Sequence, residues 1–331
     1  MNAPQRTDAL RLLHLSDLHF GFVDKRPQRR RSASSAPQLE STHQFVANGQ
    51  PEPAELARIL VRDLESAPDA VVVSGDLTWA GSETECSIAL RFLEALRERW
   101  QQTSFVIVPG NHDVVLGATE PNEHRQAAFT AMLQQFHGVQ FLDKYPLAGI
   151  NPGILTDRQR LIAIERVTDD VIVVGVNSAA HLQAGSMPVY VNDSVLQLLD
   201  DHLSTLKLAP DALRIFVVHH HLLPFTESAP SPEDVSTTFE RADPSILANS
   251  ARLQAWLSGH SFHLALHGHK HRSHGRRDTL WRHGDPESGR TLAVVGRKCR
   301  RVHCRSRSRR TIDLQRHRSR TPRQHALGGR C

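Results

Sequence analysis

The segment "LALHGHKHRS", residues 264–273, joins a short apolar run to a cluster of histidines. The apolar part is too short for a helix and predicts a buried strand. In an extended segment, positions two apart project to the same side, so His269 and His271 can act together. His267 is expected to be a structural part of the strand. A single buried histidine is usually a hydrogen-bonded core residue, so a function for this cluster depends on partners elsewhere in the chain.

The rest of the chain alternates short apolar runs with amphipathic helical patterns. Runs rich in Val, Ile and Leu predict strands at 11–15, 70–74, 104–108, 160–164, 171–176, 213–218, 262–267 and 291–295. Apolar residues at helical spacing predict helices at 53–66, 84–100, 123–136, 193–206 and 247–258. This alternation predicts an α/β fold, in which ligands gather beyond the carboxyl ends of the strands.

Five of the predicted strands end in side chains that can bind metals. In chain order these side chains are Asp17, His19, Asp76, Asn111, His112, Asp113, His219, His220, His221, His269 and His271. Taken singly, Asp76 could cap a helix, and "PGN" at 109–111 could form a turn. Because the blocks occur together at strand ends, they instead predict one cage of nitrogen and oxygen ligands.

The residue types in these blocks restrict the kind of metal. Imidazole and carboxylate groups suit Mn, Fe, Zn or Co, and the four cysteines include no C-x-x-C pair, which disfavours a structural zinc site. Gly75 and Gly268 directly precede Asp76 and His269, where a missing Cβ lets the backbone approach an ion closely. Two ions about 3.5–4 Å apart need a bridging group, for which a carboxylate is suited.

The ordered blocks D-x-H, G-D, G-N-H-D, a histidine after a strand, and G-H-x-H resemble the calcineurin-like metallophosphoesterases. All five blocks occur here in that order over residues 17–271. The resemblance implies a four-layer fold of two packed mixed sheets flanked by helices. It also implies phosphoester hydrolysis by in-line attack of a two-metal-activated hydroxide on phosphorus. Two divalent or trivalent ions are expected, with Mn, Fe and Zn as candidates.

The same resemblance assigns roles to individual residues. It places Asp17, His19 and His271 on the first metal, Asn111, His219 and His269 on the second, and Asp76 as the bridge between them. In "HHHLLP" it favours His219 as the ligand, with His220 as the alternative. His112 matches the catalytic histidine of the family, which contacts the phosphate or protonates the leaving group. Asp113 is expected to orient His112.

The segments "HLSDLHFG" and "SGDLTWAGSETE" look most like the cyclic-nucleotide phosphodiesterase branch of that family. They favour a phosphodiesterase acting on a small phosphoester, with a cyclic nucleotide as the candidate substrate. A phosphomonoesterase or protein phosphatase of the same fold is the alternative. A different class of protein, a non-catalytic nucleic-acid binder, would use the basic residues near the C-terminus.

The charge distribution indicates a boundary near residue 296. Residues 297–331 carry thirteen Lys and Arg against the single acid Asp313, a net charge of +12, so residues 1–296 carry −7. The strand–helix alternation also stops there, which predicts a domain at 1–296 and a tail at 297–331. The tail is either a disordered basic arm or the product of a lost reading frame, because out-of-frame GC-rich DNA often encodes arginine.

Two further features concern the surface and the compartment. Residues 22–53 are rich in Pro, Ser, Gln and Arg and predict a loop insert, which either overhangs the site or is a plain surface excursion. No apolar run approaches the roughly 20 residues of a membrane helix. The N-terminal segment lacks the apolar core of a signal peptide, so a cytoplasmic protein without a membrane partner is expected.

Overall fold

The computed structural model describes residues 10–21, 45–46, 50–64, 66–115, 124–150, 155–156, 158–182, 189–224, 246–271, 273–282 and 285–296. The predicted tail at 297–331 and most of the predicted insert at 22–53 lie outside these residues. The described part of the insert contains two short strands, β2 (Phe45–Val46) and β3 (Gln50–Pro51), which pair antiparallel. None of the described helices is long and apolar enough to cross a membrane.

The smaller of the two main sheets contains three parallel strands in the order β1-β4-β5. These are β1 (Leu12–Leu15), β4 (Ala70–Ser74) and β5 (Ser104–Val108). Parallel neighbours require a crossover, and the two helices α1 (Pro53–Asp63) and α2 (Glu83–Arg99) provide it. Helix α2 begins at a capping box, in which the Ser82 side chain accepts from the Glu85 N–H and the Glu85 carboxylate accepts from the Ser82 N–H.

The larger sheet has six strands in the order β10-β11-β9-β8-β7-β6, of which only the two edge strands are antiparallel to their neighbours. Its strands are β6 (Ala163–Thr168), β7 (Val171–Gly175), β8 (Leu213–Val217), β9 (Leu264–His267), β10 (His274–Arg282) and β11 (Asp285–Gly296). The other α-helices within the described residues are α3 (Ala127–His137), α4 (Phe141–Lys144), α5 (Asp193–Thr205) and α6 (Ser250–Gly259). The larger sheet is thus mixed, and the smaller one is wholly parallel.

Alternate side chains of the larger sheet belong to different cores. Val173 and Val217 pack in the core that also contains the strands of the smaller sheet. Val174 and Phe216, one position along, pack in the second core with apolar residues of α5 and α6. Because successive side chains of a strand point to opposite faces, the larger sheet lies between the smaller sheet and these two helices.

The smaller sheet shows the same division at β5. Val108 lies against the backbone of Gly175 in β7, where an added Cβ would come within 2.5 Å of the Val108 side chain. Phe105 instead contacts Phe136 of α3, with ring centroids 5.2 Å apart. The order of layers is therefore helices, small sheet, large sheet, helices, which confirms the predicted four-layer α/β fold.

Each of the eight predicted strands corresponds to an observed strand, but several boundaries were wrong, and the strands β2, β3 and β10 were not predicted. The strand predicted at 160–164 begins at Ala163 and continues to Thr168, and the one predicted at 291–295 begins at Asp285. The helix predicted at 123–136 begins at Ala127. Strand β10 was not predicted, because its sequence "HGRRDTLWR" is mostly polar and lacks the apolar run that marks a buried strand. As an edge strand it needs pairing only with β11.

Candidate metal centre

The predicted ligands lie on loops with unusual backbone conformation. Five of them adopt the left-handed region, namely Asp17 (φ 57°), His19 (φ 49°), Asp76 (φ 55°), His269 (φ 76°) and His271 (φ 51°). Ser261 is the one other non-glycine residue with positive φ in the described part of the chain. Such conformations are costly for these residue types and persist mainly where the surroundings enforce them, often at functional sites.

Two glycines allow the loops to approach one another. Gly75 has φ +94°, and a Cβ there would lie 2.5 Å from His219 Nδ1. A Cβ at Gly268 would collide with the Ser16 hydroxyl. The Asp17 N–H donates to the Gly75 carbonyl at 3.1 Å, which joins the loop after β1 to the loop after β4. Side chains from separate strands are therefore brought together by backbone contacts that only glycine permits.

The first group of ligands contains Asp17, His19, Asp76 and His271, whose ligand atoms lie within 4.8 Å of one another. The Nε2 atoms of His19 and His271 are 3.0 Å apart, and His271 Nε2 is 3.5 Å from Asp17 Oδ1. His19 Nδ1 is 3.3 Å from the Thr78 carbonyl, which favours a proton on Nδ1 and leaves the lone pair of Nε2 facing the group.

The second group combines Asn111 with histidines from the loops after β8 and β9. Asn111 Oδ1 is 3.0 Å from His219 Nε2 and 2.8 Å from His269 Nδ1. Asp76 Oδ2 is 3.2 Å from His219 Nε2 and 3.8 Å from His19 Nε2. The Asp76 carboxylate therefore reaches both groups, which is the position that a bridging ligand requires.

His219 and His220 differ in what their rings face. His219 Nδ1 lies 2.7 Å from the Ser74 carbonyl, which fixes the ring and turns Nε2 toward Asp76 and Asn111. His220 Nδ1 lies 2.7 Å from the Ser178 hydroxyl, although its ring is close enough to His269 to form a candidate metal group with it. The contacts with Asp76 and Asn111 favour His219 over His220, and Ser178 is a contact that the sequence did not predict.

His112 lies at the rim of the centre. Its backbone N–H donates to Asp76 Oδ1 at 2.8 Å, and its Nδ1 is 2.7 Å from the Trp79 carbonyl. The imidazole stacks on the Trp79 indole, with centroids 4.7 Å apart and planes at 26°. Sequence reasoning did not single out Trp79. The signal that could have identified it is an aromatic residue directly after the G-D-L-T segment. In the structure the Trp79 side chain is 39% accessible.

The structure corrects the role predicted for Asp113. Its buried carboxylate accepts hydrogen bonds from the Gly110 N–H, the Thr78 N–H and the Thr78 hydroxyl, each at 2.8 Å. These contacts join the loops after β4 and β5, and the His112 ring is oriented instead by the Trp79 carbonyl. Asp113 is therefore a residue that positions the loops.

Burial and the nearby carboxylates together set the protonation of the histidines. Burial lowers the pKa of His19 to about 4 and that of His269 to about 3, so both rings are neutral near pH 7. Burial also opposes the charge of Asp76, but attraction to His219 holds the pKa of Asp76 well below its usual range. Burial opposes the charge of His219 as well, but attraction to Asp76 outweighs it and raises the pKa of His219 to about 9. Neutral imidazoles and ionised carboxylates are the forms that bind metals, so His219 would release a proton on binding one.

A buried oxygen at this site tests whether the residues fit a metal. Asp17 Oδ2 is buried and has no hydrogen-bond partner in the described structure. An unsatisfied buried carboxylate oxygen is costly, and a cation beside it would remove that cost. The donor set of Asp, Asn and His side chains fits Mn, Fe or Zn. The residues present therefore fit the metals that the sequence predicted.

The site contains two adjoining groups of candidate ligands, and the Asp76 carboxylate reaches both. Such a site at the strand ends of a four-layer α/β fold is typical of an enzyme with a metal centre. Residues 10–273 match the family model described as calcineurin-like phosphoesterase, and the chain belongs to this family. It is accordingly a metal-dependent phosphoric ester hydrolase, and the family typically uses a binuclear metal centre. No curated protein sequence matches this chain.

Solved structures similar to this chain include two proteins of low sequence identity. One is a purple acid phosphatase from yellow lupin (Lupinus luteus) seeds, with 13% identity and a TM-score of 0.48. The similarity covers 87% of this chain and 44% of that protein, so the chain spans less than half of its length. The other is a phosphopantetheinyl hydrolase from Mycobacterium tuberculosis, with 15% identity, a TM-score of 0.35, and coverage of 87% and 90%.

Proposed function

We propose that this hydrolase is a phosphodiesterase with a binuclear metal centre. One observation carries the metal assignment: the buried Asp76 carboxylate lies 3.8 Å from His19 Nε2 and 3.2 Å from His219 Nε2, between the two ligand groups. In this proposal Asp76 would contribute to both ions. Asp17, His19 and His271 would hold the first ion, and Asn111, His219 and His269 would hold the second.

When bound, the two ions would supply activation of the attacking water and neutralisation of charge on the phosphoryl oxygens. The protein supplies the proton for the leaving group. In this proposal His112 acts as the imidazolium: its Nδ1–H donates to the Trp79 carbonyl, and its Nε2–H gives its proton to the leaving oxygen, which leaves a neutral ring with the proton on Nδ1. Stacking on the indole holds the ring in that orientation.

The surroundings of His112 support a diester with an aromatic part. The leaving group of the substrate would lie beside His112, which protonates it. The exposed indole of Trp79 stacks on His112 and would therefore lie near the leaving group. A nucleobase can stack on an exposed indole, a contact worth about 1–3 kcal/mol per base. A cyclic nucleotide offers both a phosphodiester and a base, which supports it as the substrate.

The test compares diester and monoester substrates on metal-loaded protein. The full chain should hydrolyse a 2′,3′- or 3′,5′-cyclic nucleotide faster than the matching monophosphate, and chelation should abolish the activity until Mn is added. Trp79→Ala should raise KM for the cyclic nucleotide, while Leu142→Ala, at an exposed apolar residue outside the metal centre, should not. Preference for the monoester would establish the phosphomonoesterase alternative, and unchanged activity after exhaustive chelation would refute the metal mechanism.

A further inference from the structure

A cavity of about 660 Å³ lies outside the metal centre, against α3, α4 and the segment before β6. Its polar wall includes His124, Gln126, Arg158 and Arg160, and its apolar wall includes Phe141 and Leu142. None of the proposed metal ligands lines it, and no Asp or Glu is among the described residues that do. The cavity thus combines hydrogen-bond donors and cations with an apolar surface.

Arg158 is the main reason to expect an anion there. The residue is only 5% exposed, and the one hydrogen bond of its guanidinium within the described residues runs from Nη1 to the Leu182 carbonyl at 2.9 Å. Among the described residues, the charged group that acts on it is another cation, Arg125, and burial together with this repulsion lowers the pKa of Arg158. A guanidinium that is buried without an anion is unfavourable, so an anion in the cavity would stabilise it.

The side-chain amide of Gln126, which also lines the cavity, likewise offers a hydrogen-bond donor. Asn177 Nδ2 donates to Gln126 Oε1 at 2.8 Å and to the Arg158 carbonyl at 2.7 Å, which fixes the orientation of the Gln126 amide. Gln126 Nε2, a donor, is then left buried without a hydrogen-bond partner in the described structure. A wall that presents donors and cations to a cavity favours an acceptor with several oxygens.

We propose that this cavity binds a phosphoryl or phosphonyl group that carries an apolar substituent. The planar fork of the Arg158 guanidinium matches two oxygens of such a group. The apolar substituent would lie against Phe141 and Leu142. The volume is within the range of about 300–1,000 Å³ that is usual for small-molecule sites. This site is separate from the metal centre and does not depend on the proposed phosphodiesterase activity.

The test uses phenylphosphonate, which has a phosphonyl group and an apolar ring and no ester bond to hydrolyse. Calorimetry on the metal-loaded full chain should find two bound molecules per chain, one at the metal centre and one in the cavity. Chelation should abolish only the binding at the metal centre. Arg158→Gln should weaken the affinity of the cavity for phenylphosphonate by at least about tenfold, because it removes a charge-assisted hydrogen bond. Inorganic phosphate should bind the cavity more weakly, because it lacks the ring.

Matched variants keep the test independent of folding. Ala131→Glu places a carboxylate at the cavity from an exposed position of α3 and should also abolish the second molecule. Gln135→Glu, exposed on the same helix outside the cavity, and Arg252→Gln, exposed on α6, should leave it unchanged. The proposal is overturned if wild type binds no phenylphosphonate after chelation, or if Ala131→Glu and Gln135→Glu retain the second molecule equally.

Discussion

Replacement of His112 by alanine should separate metal binding from proton transfer. The contact of this residue with Asp76 is made by its backbone N–H, at 2.8 Å, and alanine keeps that group. The variant loses only the ring, with its contact to the Trp79 carbonyl at 2.7 Å and its stacking on the indole. Both metals should therefore remain bound, while the proton donor is removed.

The expected magnitude depends on the leaving group. General acid catalysis contributes about 10²–10⁴-fold, which at about 1.36 kcal/mol per tenfold corresponds to roughly 2.7–5.4 kcal/mol of activation free energy. The full loss of kcat should be seen when a ribose hydroxyl leaves, because that oxygen needs a proton. Nitrophenolate departs without protonation, so we expect a loss below about tenfold for a nitrophenyl ester.

The assay compares kcat for a cyclic nucleotide and for bis(4-nitrophenyl) phosphate in His112→Ala and wild type, at equal measured metal content. His202→Ala, a change near the end of α5 and outside the metal centre, is the control and should match wild type. Equal slowing of both substrates would refute proton donation and indicate that His112 positions the phosphate. Loss of metal from the variant would refute its placement outside the ligand set.

Three further predictions concern the metals and the packing. Asp76→Asn should cost more activity than any other single ligand change. It should also weaken the binding of both metal ions by more than about tenfold. Metal analysis that still finds two ions per chain would contradict the assignment of Asp76 as the bridging ligand. Truncation after Gly296 should leave the metal content of the folded protein unchanged, because every ligand block lies upstream; a folded but metal-free product would exclude this. Gly175→Ala should cost about 1–3 kcal/mol of unfolding free energy, because the new Cβ would lie 2.5 Å from the Val108 side chain. This corresponds to a fall in Tm of about 2–4 °C per kcal/mol. Gly259→Ala, where an added Cβ meets no atom within 4 Å, should not lower Tm, and equal Tm values for the two variants would refute the close packing of the sheets.

Most strands could be predicted because their signal is local. Runs such as Ala70–Ser74 and Ser104–Val108 are apolar on both faces and end at glycine or proline, so their bounds were correct. Strand β10 has no such signal. Its polar side chains lie at an edge of the sheet, and it forms a strand because β11 offers a partner. Pairing with a partner strand is a property of the tertiary structure.

The roles of individual site residues depended even more on tertiary contacts. The three adjacent histidines at 219–221 look alike in the sequence, and the contacts with the Ser74 carbonyl, Asp76 and Asn111 distinguish His219. Asp113 follows His112 directly, yet its carboxylate bonds to Thr78 and Gly110. Neighbours in sequence need not be neighbours in hydrogen bonding, because successive side chains leave a turn in different directions.

The α/β class, the strand ends that carry the candidate ligands, and the family to which the chain belongs could all be read from the amino-acid sequence. These follow from residue type and short-range spacing, which local sterics and burial translate directly into strands and loops. Long-range packing, in contrast, places Asp76 between the two candidate ligand groups, Trp79 against His112, and Arg158 beside a cavity. Each of these is a contact between residues from separate segments of the chain, and the packing of the two sheets and their helices sets its distance.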